Sequence, residues 1–335
     1  MSILKSVPVD AIKQLGRITD TDALIMRRAF YMDGIISPEE ADELIALNDR
    51  CHTQDPAWAE LFVEALTDYI VNQALPEGYV TAANAEWLVE RISVDGKIQT
   101  GTELELLVSV IEKARWAPAS LAVFALAQVK HAVVSGEGAL RSGLRLEPGA
   151  VGAGDVKLLR RILYGFGGDG NMAITRAEAE VLFAINDATA GAPNHPSWTD
   201  LFVKAIANAI MAASGYNVPS REEALRQEAW LDGRGELAPA GVLGKLITTG
   251  LRGIWGAYTR QTPEERQISN LERQRIEIIV NERITGDEAN WLAERIGRDA
   301  KVTSNEQALL AFIKAESPSL DPALQGLIDR IGRAA

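Results

Sequence analysis

Residues 167–178 place oxygen-bearing side chains at the spacing of a twelve-residue calcium loop. Calcium takes six to eight oxygen ligands, which an EF-hand loop supplies from positions 1, 3, 5, 7, 9 and 12. Counting from Ile174 as position 8, the side chains that could bind the ion belong to Asp169, Asn171, Thr175 and Glu178. Position 1 is a glycine without a side-chain oxygen, and Met172 replaces the glycine of position 6. The pattern therefore predicts a candidate Ca²⁺ site that departs from the high-affinity arrangement.

The same residues also fit a capping box at the start of a helix. In this motif a Ser or Thr side chain accepts a hydrogen bond from the backbone three residues on, and a Glu there bonds back to the cap. The pairs with this spacing are Thr175 and Glu178, Ser37 and Glu40, Thr100 and Glu103, Thr285 and Glu288, and Thr303 and Glu306. Capping explains the repeated pattern without a metal. The calcium interpretation stays open for residues 167–178, whose acidic and amide side chains converge.

The candidate loop belongs to a junction that recurs along the chain, in which a turn, often Asp-Gly, precedes an aliphatic residue and a new helix. The aliphatic residues are Ile36, Val80, Ile98, Ile174, Ile284 and Val302. Asp and Gly suit such turns because Gly tolerates positive φ and Asp bonds its own backbone. In an EF-hand-like arrangement each aliphatic residue would pair with its twin in a neighbouring loop.

No other motif supplies a catalytic constellation. Residues 165–170 fit G-x-G-x-x-G, but that fingerprint needs a preceding strand, and residues 156–164 have a helical pattern. The three histidines show no metal-ligand spacing. Cys51 is next to His52 in an expected loop, where adjacent side chains point apart, so it is predicted to be a free surface thiol. The chain is predicted not to be an enzyme.

The elements that carry the junctions occur twice. Residues 36–49 match 174–187, and a Pro-x-Trp-x-x-Leu-Phe-Val segment follows each copy. Residues 80–98 match 284–302 in the same order, which predicts a tandem duplication. The predicted organisation is a first module at 1–135, a Gly-rich linker at 136–156, and a second module at 157–335 that contains an insertion at about 215–283.

The hydrophobic period along both copies is helical. Ala41, Leu44, Ile45 and Leu47 form one apolar stripe, and a similar stripe runs through residues 61–70. The repeated tryptophans, Trp58 and Trp198 among them, are expected in the core. The predicted fold is all-α, a tandem duplication of a multi-helix module with EF-hand-like helix–loop–helix junctions.

Residues 241–258 form the most amphipathic part of the insertion. On a helical wheel one face gathers Leu243, Ile247, Leu251, Ile254, Trp255 and Tyr258. This face predicts contact with a partner's groove or with a membrane surface. Its glycines disfavour an isolated helix, so a segment packed on the second module is the alternative.

Composition limits the partners and the compartment. The net charge of -12 repels phosphate backbones, which argues against nucleic acid and favours metal cations or basic proteins. A single cysteine is typical of a reducing compartment. No segment has the apolar length of a transmembrane helix, and a cytoplasmic location is predicted.

The junction around Asp33, Gly34, Ile36 and Glu40 resembles that of the tellurite-resistance TerB-like helical domains, and more distantly that of the EF-hand superfamily. Related residues recur around Ile98 and Ile174. The resemblance implies a non-enzymatic, acidic, cation-responsive helical domain associated with membrane-linked stress complexes. We predict a binding or scaffold protein that recognises a protein partner near a membrane. The alternative is a calcium-responsive sensor that uses residues 167–178.

Overall fold

The structure is a computed structural model in which most of the chain is described. The described residues are 9–30, 34–139, 149–165, 174–213, 286–296, 298 and 302–316, with a few positions between 322 and 329. Within them helices predominate, which confirms the predicted all-α class. The predicted insertion at 215–283 lies outside the described residues.

Short loops join the helices of the N-terminal part. These helices are α1 (Val9–Leu15), α2 (Asp20–Phe30), α3 (Pro38–Arg50), α4 (Pro56–Asp68), α5 (Ala82–Ile92), α6 (Gly101–Lys113) and α7 (Ala119–Ser135). A π-helical turn, Tyr69–Gln73, continues α4. Helix α4 starts as its sequence predicts, because Asp55 accepts a hydrogen bond from the Ala57 N–H at 2.9 Å and Pro56 occupies the first turn.

Four strands of two residues each lie between these helices. Strand β1 (Arg17–Ile18) pairs in parallel with β2 (Thr53–Gln54). Strand β3 (Ser93–Val94) pairs in antiparallel fashion with β4 (Lys97–Ile98). Asp95 and Gly96 form the intervening turn with φ of 51° and 72°. This is the type I′ geometry that an Asp-Gly pair favours in a two-residue hairpin.

Helix α4 forms the centre of the first core, where it packs against α2 and α6. Trp58, Phe62 and Leu66 follow one another at helical spacing and are each 0% exposed. The rings of Trp58 and Phe62 lie 5.9 Å apart. Burial of each such side chain contributes about 1.5–3 kcal/mol, so α4 is the main apolar support of this part of the chain.

Helix α10 has the corresponding place in the second part. The helices here are α8 (Ala153–Tyr164), α9 (Arg176–Ala188), α10 (Ser197–Ala213), α11 (Gly286–Arg295) and α12 (Ser304–Glu316). Helix α10 packs against α8, α9 and α12. Trp198, Phe202 and Ile206 are each 0% exposed. The expectation that Trp58 and Trp198 are core residues is confirmed.

Helix α11 is attached to α9 through an aromatic and charged cluster. The indole N–H of Trp291 donates to Glu180 at 2.7 Å. Arg295 forms ion pairs with Glu180 at 3.1 Å and with Asp187 at 2.8 Å, and its guanidinium lies 4.7 Å from the ring centre of Phe183. Because Arg295 is only 7% exposed, its charge needs these carboxylates. The cluster therefore fixes α11 directly on α9.

The described residues fall into two compact units. The first contains residues 9–128, 137–139 and Gly165, and the second contains 129–136, 149–164 and the described residues from 174 onward. The division thus falls inside α7, between Gln128 and Val129. Within the segment predicted as a linker, 136–156, residues from Ala153 onward already belong to α8. The predicted module boundaries stay a prediction.

Candidate functional site: the glycine loops

Several junctions of the chain share one local geometry, which we call a glycine loop. In each, a glycine with φ between 62° and 85° stands two residues before a buried aliphatic residue. The described glycine loops are Gly16–Ile18, Gly34–Ile36, Gly78–Val80, Gly96–Ile98 and Gly149–Val151. The five aliphatic side chains are at most 6% exposed. Positive φ favours glycine, and the aliphatic residue anchors the loop in the core.

The sequence predicted three of these loops and missed two. The loops at Gly16 and Gly149 lack the Asp-Gly or Glu-Gly turn of the other three. They share a simpler signal, which is a glycine, any residue, and a β-branched residue two positions before a helix start. That signal could have located them.

Side-chain amides close two loops of the first unit in the same way. The Ile36 N–H donates to the Gln73 Oε1 at 2.7 Å, and the Gln73 Nε2 donates to the carbonyl of Gly34 at 3.2 Å. The Ile98 N–H donates to the Gln128 Oε1 at 3.1 Å, and the Gln128 Nε2 donates to the carbonyl of Gly96 at 3.1 Å. We call this arrangement an amide clamp. It satisfies a buried donor that would otherwise cost stability.

Asparagines have a related role in the second unit. The Ile174 N–H donates to the Asn208 Oδ1 at 2.8 Å. The Val151 N–H donates to the Asn194 Oδ1 at 2.8 Å, and the Asn194 Nδ2 donates to the carbonyl of Thr189 at 2.9 Å. Each loop is therefore held by a residue distant in sequence.

The expectation that the aliphatic residues pair with their twins in neighbouring loops is wrong at Ile36, Val80, Ile98 and Ile174. The N–H groups of Ile36, Ile98 and Ile174 are engaged by amide side chains. The Val80 N–H donates to the carbonyl of Trp116 at 2.9 Å. The physical reason is that an amide oxygen from the π-helical turn after α4, from α7 or from α10 accepts a hydrogen bond from the loop N–H. Loop pairing in an EF-hand would use that same N–H.

Among the predicted calcium ligands, Thr175 and Glu178 form a capping box on α9. The Glu178 Oε2 accepts from the Thr175 N–H at 2.6 Å and from its hydroxyl at 2.7 Å. Burial raises the pKa of the Glu178 carboxyl, an effect that the hydrogen bonds from Thr175 oppose. Asp169 and Asn171 lie outside the described residues. Within the described part of the chain, no three His, Cys, Asp or Glu side chains gather as a metal-binding group.

Capping boxes form at three further predicted positions. Complete boxes join Ser37 to Glu40 and Thr100 to Glu103. Both reciprocal bonds also join Thr303 to Glu306, at 2.7 and 3.2 Å. The pair Thr285 and Glu288 cannot be compared, because Thr285 lies outside the described residues. The capping prediction is confirmed wherever the structure describes both partners.

The expectation that Cys51 is a surface thiol is wrong. Cys51 caps the C-terminal end of α3, is 0% exposed, and lies with its Sγ 3.7 Å from the carbonyl oxygen of Ile12. Burial raises the pKa of the thiol, and the negative charge of Asp22 adds to the effect. The cysteine is covered because α1 packs on α3, a long-range contact that local sequence does not reveal.

Three exposed apolar side chains belong to segments that hydrogen bonds join to the turn that follows α4. Ile35, Leu75 and Trp116 are 66%, 84% and 46% exposed. The clamp of Gln73 holds the Ile35 loop on one side of this turn, and the bond from Val80 to Trp116 holds the other side. We call Ile35, Leu75 and Trp116 the turn patch.

The predicted contact surface at 241–258 cannot be placed. Leu243, Ile247, Leu251, Ile254, Trp255 and Tyr258 lie outside the described residues. Among the helices that the structure describes, none combines the length and the apolar character needed to cross a membrane.

Comparison of the chain with protein-family models, with curated proteins and with solved structures found no match. The interpretation of the glycine loops therefore depends on their own geometry and chemistry.

The amide clamp predicts an unusual cost for a conservative change. Gln128→Met keeps the volume of the side chain but leaves the buried Ile98 N–H without its acceptor. We expect the free energy of unfolding, measured by urea denaturation, to fall by about 1–3 kcal/mol. Gln99→Met is the control, since the Gln99 side chain makes an exposed bond to Lys97 and should change stability by less than about 0.5 kcal/mol. Equal losses in the two variants would contradict the clamp.

Calcium titration tests the loop at 167–178. Because the Glu178 Oε2 is already engaged by Thr175, we expect no saturable change in tryptophan emission at micromolar calcium. Glu178→Gln is the matched variant, since glutamine also serves at this position of a capping box. A saturable change in the wild type that Glu178→Gln abolishes would establish the calcium site instead.

Proposed function

We propose that the protein is a non-enzymatic binding or scaffold protein that recognises a protein partner. The turn patch is the observation that carries this proposal. Single exposed apolar residues are common on protein surfaces, but a group of them around one anchored turn is typical of an interaction site. Trp116 adds the residue type that most often dominates the binding energy of an interface.

The support beneath the turn patch favours binding without rearrangement. The Gly78 N–H donates to the carbonyl of Val71 at 2.6 Å, and the Arg115 N–H donates to the carbonyl of Gly78 at 2.7 Å. Together with the clamp of Gln73, these bonds fix the backbone on which all three apolar side chains stand. A rigid surface loses little conformational entropy on binding, which increases affinity for a given area.

The charge of the chain indicates the chemistry of the partner. A net charge of -12 attracts basic surfaces and raises their association rate at low salt. Anionic membranes and nucleic acids are repelled by the same field. The partner that fits best is a protein segment with apolar side chains and a surrounding positive charge.

The calcium-sensor alternative has less support from the described residues. In an EF-hand the position-8 residues join two loops and transmit the effect of the ion. Here the N–H groups of Ile36, Ile98 and Ile174 are committed to amide side chains. These three junctions are thereby held by protein groups, which suits a constitutive scaffold.

We also propose that the two units are copies of one module. Helix α10 packs against α8 and α12, as α4 packs against α2 and α6. The similarity extends to the segments before these helices. The Asp55 N–H donates to Ile18 at 3.0 Å, and the His195 N–H donates to Val151 at 2.8 Å, so both units use a glycine-loop carbonyl to fix the entry of the central helix.

The two units differ in the number of residues between the central helix and the helix that follows it. We call these residues the connector. In the first unit the π-helical turn ends at Gln73 and α5 begins at Ala82. In the second unit α10 ends at Ala213 and α11 begins at Gly286. Residues 214–285 therefore take the place of residues 74–81. The cluster of Arg295 and Trp291 holds α11 on α9 through Glu180 and Asp187.

The turn patch is tested by a double substitution, Leu75→Ser with Trp116→Ser. The Trp116 carbonyl that anchors Val80 is retained, so the loop should remain folded. Proteins captured by the wild type are identified by quantitative mass spectrometry, and the partner is purified for affinity measurement. We expect its Kd to rise by at least about tenfold in the variant, as removal of a binding anchor worth about 1.4 kcal/mol predicts. The Kd should also rise with salt.

The control for this experiment is Leu15→Ser with Leu24→Ser. These two side chains are 74% and 50% exposed and lie on α1 and α2, away from the turn patch in sequence. A partner that loses affinity equally in both double variants, or in neither, would contradict recognition by the turn patch.

The module proposal is tested by exchange of the connectors. Residues 214–285 are replaced with a copy of residues 74–81, which the corresponding helix ends predict to be long enough. We expect the shortened protein to remain helical by circular dichroism and to unfold cooperatively in urea. A flexible Gly-Ser connector of equal length is the control and should give lower stability. Loss of cooperative unfolding with both connectors would contradict the module equivalence.

A further inference from the structure

A buried carboxylate joins α3 to α6 in the first unit. Glu103, 5% exposed, accepts a hydrogen bond at its Oε1 from the Asn48 Nδ2 at 3.2 Å. Its Oε2 accepts from the N–H groups of Thr100 at 2.9 Å and Gln99 at 3.2 Å. The carboxylate is thus a hub that holds the start of α6 and the end of α3 together.

Asn48 extends this hub to α4 and to strand β2. Its Oδ1 accepts from the indole N–H of Trp58 at 3.2 Å and from the Gln54 Nε2 at 3.1 Å. Gln54 lies in β2, opposite Ile18 of the first glycine loop. The orientation of the Asn48 amide is therefore fixed by Glu103 on one side and by Trp58 and Gln54 on the other.

In the corresponding junction of the second unit, the asparagine bonds to a hydroxyl and to an amide. The carboxylate at the position of Glu103 is that of Glu306, which is 2% exposed and accepts from the Thr303 N–H at 2.7 Å. Asn186, which matches Asn48 in the repeated segment, donates from its Nδ2 to the Thr303 hydroxyl at 2.9 Å. Its Oδ1 accepts from the Asn305 Nδ2 at 2.9 Å. Trp198 is buried, and its indole N–H has no hydrogen-bond partner within the part of the chain that the structure describes. Both of these partners of Asn186 are uncharged.

The surroundings of Glu103 favour its protonated form. Burial raises the pKa of the carboxyl, and the negative charge of Asp49 on α3 raises it further, while the hydrogen bonds from Thr100 and Gln99 oppose the shift. Burial also raises the pKa of Asp49 itself. From α4 the group that faces Glu103 is the uncharged indole of Trp58, through Asn48.

We propose that the junction of α3 and α6 in the first unit is a proton-sensitive contact, in which protonation of Glu103 changes the hydrogen bonds of Asn48 and Trp58. A proton from solvent adds to Oε1, because Oε2 already accepts two N–H groups. The new O–H competes with the Asn48 Nδ2 for space at Oε1, and a neutral carboxyl oxygen is a weaker acceptor than a carboxylate. The bond from Asn48 therefore weakens or breaks, or the Asn48 amide turns over and withdraws its Oδ1 from Trp58 and Gln54.

The sign of the linkage is that protonation of Glu103, taken by itself, favours the folded state. Because the pKa of Glu103 is raised in the folded chain, the folded state binds the proton more tightly than the unfolded state does. The free energy of unfolding therefore rises as the pH falls through the folded pKa, down to the ordinary glutamate value of about 4.3. This one carboxyl group therefore contributes more to stability when it is protonated.

The indole N–H resonances of the seven tryptophans report this change in ¹H–¹⁵N correlation spectra between about pH 4 and pH 8. Trp58→Phe and Trp198→Phe assign the two signals that are needed. We expect the Trp58 signal to titrate with a midpoint above about 4.3, the ordinary glutamate pKa. The Trp198 signal, from the matched position of the second unit, should stay in place. Circular dichroism verifies that the helices persist through the titration.

Two variants decide which group titrates. Glu103→Gln keeps the capping position and should leave the Trp58 signal independent of pH. Asp49→Asn removes a negative charge and should move the midpoint to lower pH. The proposal is overturned if the Trp58 signal does not titrate, if it titrates equally in Glu103→Gln, or if the titration vanishes in Asp49→Asn. Movement of Trp58 and Trp198 together would also overturn it, because that marks global acid unfolding.

Discussion

Buried backbone donors at the start of short helices are the constraint on which this fold depends. Each glycine loop drives an aliphatic residue such as Ile98 into the core, and its N–H goes with it. A buried N–H without an acceptor costs about 1–3 kcal/mol. Amide side chains from other helices, or from the segment before α10, accept these hydrogen bonds. They belong to Gln73, Gln128, Asn194 and Asn208. Loop shape and helix packing are therefore determined together.

The polar bonds between helices differ between the two units, which we propose to be copies of one module. The central helices α4 and α10 bury a tryptophan and a phenylalanine at matching positions. Around them, the first unit joins Asn48 to the carboxylate of Glu103, whereas the second joins Asn186 to a hydroxyl and an amide. Shape is preserved because the groups are of similar size. In the first unit the asparagine bonds directly to a titratable carboxylate, and this is the group whose protonation we propose to change the junction.

A rigid set of loops and an acidic surface are suited to recognition. The turn patch stands on backbone fixed by Gln73, Gly78 and Trp116, so its apolar side chains are displayed before a partner arrives. Under the proposed function, binding requires little ordering of the protein. In that proposal the acidic charge of the chain supplies long-range attraction for basic partners, and the apolar contacts supply most of the affinity.

The sequence by itself determined the features that depend on neighbours within about four residues. These are the all-α class, the helix starts, and capping boxes such as Thr175 with Glu178, because both partners lie in one turn. Tertiary structure alone decided which groups engage the loops. Gln73 meets Ile36 across 37 residues, and Cys51 is buried because α1 packs on α3, so neither outcome could be read locally. Long-range contacts depend on how helices pack, and packing is a property of the whole core.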